Sequence, residues 1–353
     1  MKIVITSLTL DHYSAKEFLD ITEIEWQTRK LHKAIYNFPN LITLSCSNNQ
    51  IKSLKKFSPK KLFPLHFVLP IKAPTYFSNL EKLDCKCNII KSLKYLSHLV
   101  NLQELDCSFN QIKSLKSLSN LTNLRKINFG NNQIKSLEPL KNLNKLEEIY
   151  CNNNQIELLD PLASLHGLNK FYCWNNKIES LDPISNLTNL KILYCSDNKI
   201  ESLNALSKMV DLEILFCWNN RIKSLEPLSN CCKLRLFWCA GNQIESLDPL
   251  SQLKNLCEIY CRDNKIKSLD PLAKLDNLQK LCCSDNQISS LDSVSGLNNL
   301  DELFCWNNQI KSLEPIVHLT KLKYLNYNNN PVEEPSAEVK EYLDIIRKNR
   351  FVL

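Results

Sequence analysis

The sequence predicts an α/β solenoid, a curved stack of short strands forming a parallel concave sheet, with short 3₁₀ turns on the convex side. Three observations predict it. Asparagine recurs every 22 residues from Asn88 through Asn198 to Asn330, and leucine keeps the same step from Leu80 to Leu322. Within one repeat, Leu193 and Cys195 alternate with Ile192, Tyr194 and Ser196, the period of two that sends one set inward and the other outward from a strand. Pro139, Pro161, Pro183, Pro227, Pro249, Pro271 and Pro315 share one phase of the second half, too punctuated for a long α-helix and suited to short 3₁₀ turns. Strands repeated in this way stack at about 4.8 Å, so thirteen repeats extend over roughly 60 Å.

Composition agrees with an open-ended array. At 353 residues the chain exceeds what one closed core usually supports. Its four glycines, Gly130, Gly167, Gly241 and Gly296, are too few and too scattered for a phosphate loop or a dinucleotide fingerprint. With 44% hydrophobic residues it can bury a large core, yet it contains no apolar run of eighteen residues that would span a membrane.

From the N-terminus, residues 1–40 read as a cap over the first repeat. Alternation over 3–10 predicts a strand, and the stretch from Ser14 to Leu19 is helical in pattern. The solenoid is expected over 41–335, in about 13 repeats. Its first repeat carries Leu41, Leu44, Cys46, Asn49, Ile51 and Leu54. An insertion over 55–79 follows, because the step from Asn49 to Asn88 is much longer than one period; it is proline-rich and predicts an edge loop. Within each repeat the phased asparagine turns the chain out of the strand and satisfies backbone groups of the turn and of its neighbour. Residues 336–353 predict a capping helix, with Ser336 as N-cap, Val339, Leu343 and Ile346 at helical spacing, and basic residues in its last turn. A helix that docks a partner is the alternative.

The pattern Leu-x-x-Leu-x-Leu/Cys-x-x-Asn-x-Ile resembles the leucine-rich repeat family, in its 22-residue class. Asp182-Pro183-Ile184 and Asp248-Pro249-Leu250 make the second half similar to internalin repeats, and to those of the repeat regulatory subunit of protein phosphatase 1. Cysteine in place of the second inward leucine, with heavy Asn and Lys usage, looks like repeats of giant viruses or protists. The resemblance implies a fold; the family shares a scaffold and not an activity.

Eleven of the sixteen cysteines occupy one inward phase, from Cys46 to Cys305, where Phe129 and Tyr327 also stand. Parallel Cβ vectors along such a file disfavour disulfides, and a line of thiols cannot surround zinc, so reduced, buried packing in a reducing compartment is expected. The off-phase Cys87, Cys231, Cys232, Cys257 and Cys282 leave a redox or metal role open. Catalysis has no constellation to rest on. The six histidines are scattered, and the phased Asp160, Asp182, Asp248, Asp270 and Asp292 suit turns. The chain therefore reads as no enzyme, with no cofactor, no metal and no small-molecule substrate.

Two surfaces remain. Ten lysines between residues 50 and 94 face only Glu81 and Asp84, so this region accounts for the net charge of +7. Lys52, Lys55, Lys56, Lys60 and Lys61 make a basic patch that could be solvated or could bind nucleic acid or an anionic membrane. The outward strand positions carry Tyr150, Tyr172, Tyr194, Phe216, Trp238, Tyr260 and Phe304, with Trp174, Trp218 and Trp306 a little further along their strands. Aromatic residues on a solvent-facing sheet mark an interaction site, although cross-strand stacking alone would also account for them. The absence of the tryptophans from some repeats argues for binding. The expected function is a non-catalytic, monomeric scaffold that binds a protein or peptide, in the cytoplasm or, for a viral chain, in the host cytoplasm. A secreted adhesin is a further alternative, allowed by the glycosylation patterns at Asn120 and Asn186.

Overall fold

The structure is a computed structural model, and it describes residues 1–5, 20–27, 38, 40–57 and 77–349. The expected helical stretch from Ser14 to Leu19 and most of the 55–79 insertion, including Lys60 and Lys61, lie outside them. The chain divides into two compact units, Met1–Leu168 and Asn169–Leu353.

In the first unit, β1 (Lys2–Ile5), β2 (Glu23–Trp26), β3 (Thr43–Ser45), β4 (Lys82–Asp84), β5 (Glu104–Asp106), β6 (Lys126–Asn128) and β7 (Glu148–Tyr150) pair in parallel, in chain order. In the second, β8 (Lys170–Tyr172), β9 (Ile192–Tyr194), β10 (Ile214–Phe216), β11 (Leu236–Trp238), β12 (Glu258–Tyr260), β13 (Lys280–Cys282), β14 (Glu302–Phe304) and β15 (Tyr324–Asn326) do the same. Register follows the repeat, so Leu193, Leu215 and Phe237 stand side by side, and Tyr194, Phe216 and Trp238 likewise. Each unit is thus a solenoid of parallel strands. Short 3₁₀ turns such as Asp182–Ile184 and Asp248–Leu250 complete the repeats, with proline in their first two positions as its fixed φ favours. In most of them the hydroxyl of the serine two residues ahead accepts the backbone N–H that starts the turn, as Ser246 Oγ does from Asp248 at 3.0 Å; Leu158 takes that place before Asp160–Leu162.

The core of each repeat is the inward set. Leu190, Leu193, Cys195, Ile200, Leu203 and Leu206 are fully buried. Burying such an aliphatic side chain contributes about 1.5–3 kcal/mol before entropy is counted. Around them the asparagines form a polar spine. Asn198 Nδ2 donates to the carbonyls of Cys173 at 3.1 Å, Cys195 at 3.1 Å and Ser196 at 3.0 Å, while its Oδ1 accepts from Ile178 N–H at 3.0 Å. The preceding residue takes the left-handed conformation, with φ of 52–56° at Asn131, Asn153, Asn175, Asp197, Asn219, Asp263, Asp285, Asn307 and Asn329. Asn and Asp tolerate that region better than other side chains. Glycine fills it at Gly241, with φ of 63°.

The N-terminal region contributes two strands to this ladder. The steps from Lys2 to Glu23 and from Glu23 to Thr43, between the starts of β1, β2 and β3, fall just short of the period. Asn49 Nδ2 donates to Trp26 O, as the later asparagines donate to the repeat before them. At the other end α1 (Ala337–Asn349) buries Val339, Leu343 and Ile346. Ser336 Oγ accepts from Val339 N–H at 3.2 Å, and Tyr342 Oη donates to Leu319 O at 2.6 Å.

Candidate functional site

Parallel strands in register place the outward aromatics from Tyr172 to Tyr260 beside one another, repeat by repeat. Tyr172 and Tyr194 have ring centroids 4.8 Å apart, Tyr194 and Phe216 4.3 Å, Phe216 and Trp238 4.2 Å, and Trp238 and Tyr260 4.7 Å. The two central contacts are stacked, with planes 27° and 13° apart. Stacked rings cover one another's faces, so Phe216 is only 7% exposed and the centre of the ladder offers ring edges to solvent.

A second column lies beside the ladder. Trp174 meets Tyr172 and Tyr194 at 6.2 Å each, and Trp218 meets Phe216 at 5.6 Å and Trp238 at 5.8 Å, all inclined to those rings. Both tryptophans are half-buried. Along this column the residues run Trp174, Ser196, Trp218, Ala240, Arg262, Ser284, Trp306, so large and small side chains alternate from strand to strand. Each large side chain of the column therefore has a small one on the next strand. This alternation is a packing pattern in its own right, beside the reading that the tryptophans are placed for binding. Ser196 and Ser284, outward by phase, are fully buried. The Ser196 hydroxyl finds no hydrogen-bond partner among the described residues, and the buried Trp238 indole N–H finds no acceptor there.

Ile192, Ile214 and Leu236, half-buried on β9 to β11, widen the apolar centre. Charge flanks it. On one side stands Lys170; on the other Lys280 Nζ lies 3.1 Å from Glu302 and 3.9 Å from Glu258, and the hydrogen bond to Glu302 raises its pKa. The ladder breaks at Cys282, whose small side chain separates Tyr260 from the pair Phe304 and Trp306. Arg262 reaches across the break, with its guanidinium 5.3 Å from the Trp306 ring and Nε 2.8 Å from Asp285. Burial raises the phenol pKa of Tyr194 and of Tyr260, so both hydroxyls remain neutral at physiological pH. Tyr150 belongs to the first unit, where its hydroxyl donates to Glu148 at 3.0 Å and Lys126 lies over its ring at 5.4 Å.

All sixteen cysteines are free thiols, and the eleven of the inward file are completely buried. Burial raises the pKa of ten of them, Cys173 aside, to about 12 at Cys195 and Cys305. Among the described residues no group of three or more His, Cys, Asp or Glu side chains converges on a site for a metal, and no helix is long and apolar enough to cross a membrane.

Lys52 and Lys55 are exposed on one edge of the first unit, with Lys56 half-buried beside them. The same two phases continue through Lys91, Lys94, Lys113, Lys116 and Lys135. Counting charge only to residue 94 misses the last three, which phase counting would have found.

The family model for leucine-rich repeats, two copies at a time, matches residues 78–120, 122–164, 166–208, 210–252, 254–297 and 298–337. An internalin of Listeria monocytogenes, inlF, is similar in structure, with 25% identity, a TM-score of 0.67, and 84% of this chain and 89% of that one covered. A leucine-rich repeat protein of Leptospira interrogans covers 99% of both chains at 20% identity and a TM-score of 0.73. The functional domain of InlJ from Listeria monocytogenes, described as including a cysteine ladder, matches at 23% identity and a TM-score of 0.60, over 85% of this chain and 70% of that one. No curated protein matches the sequence. Members of the matched family generally serve as scaffolds for protein interaction. Repeat by repeat, in sequence and in strand order, this chain belongs to the leucine-rich repeat family.

Proposed function

We propose that the chain is a non-catalytic scaffold that binds a protein or peptide on the aromatic face of its second unit. The observation that carries this reading is the anatomy of that face. Its centre is apolar, from Ile192 to Trp238, and it is rimmed by Lys170, Glu258, Lys280 and Glu302. An apolar centre within a charged rim is the layout of a protein interface, and tryptophan and tyrosine are its usual anchors. Trp174 and Trp218 stand at the margin of the ladder and are the anchors best placed to meet a partner. Phe304, Trp306 and Arg262 extend the face beyond the break at Cys282. Phe216 and Trp238 hold the ladder together. The neutral, buried thiol file supports a reducing compartment as its place of work.

Panning a random peptide library against the chain tests this. Enriched peptides should quench tryptophan fluorescence and lose at least tenfold in affinity on Trp174→Ala with Trp218→Ala. Retention of affinity in that double variant, with its thermal unfolding unchanged, would refute the assignment.

A further inference from the structure

We propose that one edge of the first unit docks the chain onto an anionic lipid surface. The edge consists of the pairs Lys52 and Lys55, Lys91 and Lys94, Lys113 and Lys116, together with Lys135, one set per repeat. All are exposed, and none forms an ion pair with a described residue. The second unit shows what the same phase does when it is neutralised. There Glu179 meets Lys199 of the next repeat at 3.0 Å, and Glu201 meets Arg221 at 3.5 Å. The residues that would answer Lys91, Lys113 and Lys135 in this way are Gln111, Gln133 and Gln155, which carry no charge. The other phase, occupied by Lys55, Lys94 and Lys116, holds carboxylates in the second unit, among them Asp182, Glu226 and Asp248. Seven like charges thus line this edge with one carboxylate, Glu138, among them, whereas in the second unit Lys223, Lys267 and Lys311 at the same phase each precede a carboxylate, Glu226, Asp270 and Glu314, by three residues.

Two further features point to a bilayer. Phe109, four residues ahead of Lys113, is 56% exposed and held at φ of 52°, where the other repeats place mainly Asn or Asp. A bulky side chain in that region is strained, and strain of this kind clusters at functional positions. Between two successive repeats a depression of about 470 Å³, lined by Lys113, Lys116, Lys135, Glu138 and Lys141, has room for a phosphate headgroup. Point charges on long stems, with an exposed aromatic in the same repeat as Lys113 and Lys116, are what an anionic interface selects. Nucleic acid calls for more. The edge has no guanidinium fork to read bases, and its Tyr95 is covered by Lys94, 4.9 Å from the ring centre.

The experiment is sedimentation of the full chain with vesicles of phosphatidylcholine alone or with 30% phosphatidylserine, at about 0.1 M salt. Binding should require phosphatidylserine. Changing Lys91, Lys94, Lys113 and Lys116 to Gln should weaken it on the order of a thousandfold, at about fivefold per lysine. Phe109→Asn, which restores the residue common at that position, should weaken it roughly tenfold. Changing Lys267 and Lys311 to Gln, the same phase in the second unit, should alter it less than about threefold. Circular dichroism melts of each variant establish that it is folded. Failure to bind the anionic vesicles, unchanged binding by the folded quadruple variant, or tighter binding to duplex DNA than to vesicles at the same salt would overturn the proposal.

Discussion

Replacing Asn220 isolates the asparagine spine. Its Nδ2 donates to the carbonyls of Cys195 at 3.1 Å, Cys217 at 3.0 Å and Trp218 at 3.2 Å, and its Oδ1 accepts from Ile200 N–H at 2.9 Å. The losses in Asn220→Ala are unequal. Cys195 O keeps a donor in Asn198, Cys217 O keeps one in Asn242, and Trp218 O keeps the N–H of Asp197. Ile200 N–H keeps nothing. Orphaning that buried donor costs about 1–3 kcal/mol, and losing the two amide hydrogens a further 0.5–1.5 kcal/mol each, or about 2–6 kcal/mol in all. Asn220→Asp preserves volume and the acceptor for Ile200 but turns a second oxygen toward three carbonyls. A buried carboxylate there has its pKa raised, so its neutral form is the one the fold tolerates. The variant's stability is therefore greatest at low pH and is lost as pH rises from the ordinary carboxylate value through the raised one. Urea unfolding followed by circular dichroism at pH 4.5 and pH 8 measures both effects. Asn220→Asp equal in stability at the two pH values would refute this account of the spine. So would Asn220→Ala within about 0.5 kcal/mol of wild type, the range of an inert surface substitution.

Three other outcomes are expected. Phe216→Ala, which removes a ring stacked on both sides, should destabilise the second unit by about 3–5 kcal/mol, and the half-buried Trp218→Ala by clearly less; equal losses would mean that the two columns do not differ in role. Ser196→Ala should be neutral or stabilising by up to about 1–3 kcal/mol, because it deletes a buried hydroxyl with no partner and Ala240 already serves at that phase; Trp238→Phe should behave alike in chemical unfolding, and a loss above about 2 kcal/mol in both would count against the orphaned groups. The buried thiols make stability pH-dependent in the alkaline range. Neutral in the fold and ionisable once unfolded, they stabilise fully below the ordinary thiol value of 9.0, and that contribution is lost as pH climbs toward about 12 at Cys195 and Cys305, so the urea midpoint should fall steeply above pH 9 and less steeply in Cys195→Ala.

The fold was legible wherever spacing is strict. Asn88 to Asn330 fixes strand positions, register and turns, because each phased residue meets its own copy one period away. β1 and β2 were less legible. Ile3, Ile5, Ile24 and Trp26 keep the inward alternation, but steps slightly short of the period hide them from the count that reveals the others. The aromatic face was legible as a set of positions and illegible as a surface. Phase assigns Phe216 and Trp218 alike to the outside. Only the ring planes show that Phe216 spends both faces on its neighbours while Trp218 leans beside the ladder, and those planes follow from side-chain torsions set by the size of the residue one strand away. The lysine edge could have been read from phase, since Lys91, Lys113 and Lys135 and their neutral neighbours Gln111, Gln133 and Gln155 are all visible in the sequence. Phe109 could not, because its exposure depends on the backbone conformation it is forced to share with asparagine.

The alternation of bulky and slight residues beside the ladder restricts how such an array can change in length. Excising the single repeat around Ser196 would set Trp174 directly against Trp218 on adjoining strands and remove the small side chain between them. Removing two consecutive repeats restores the original order of neighbours. In this stretch the module that keeps every side chain beside its present neighbours is therefore a pair of repeats.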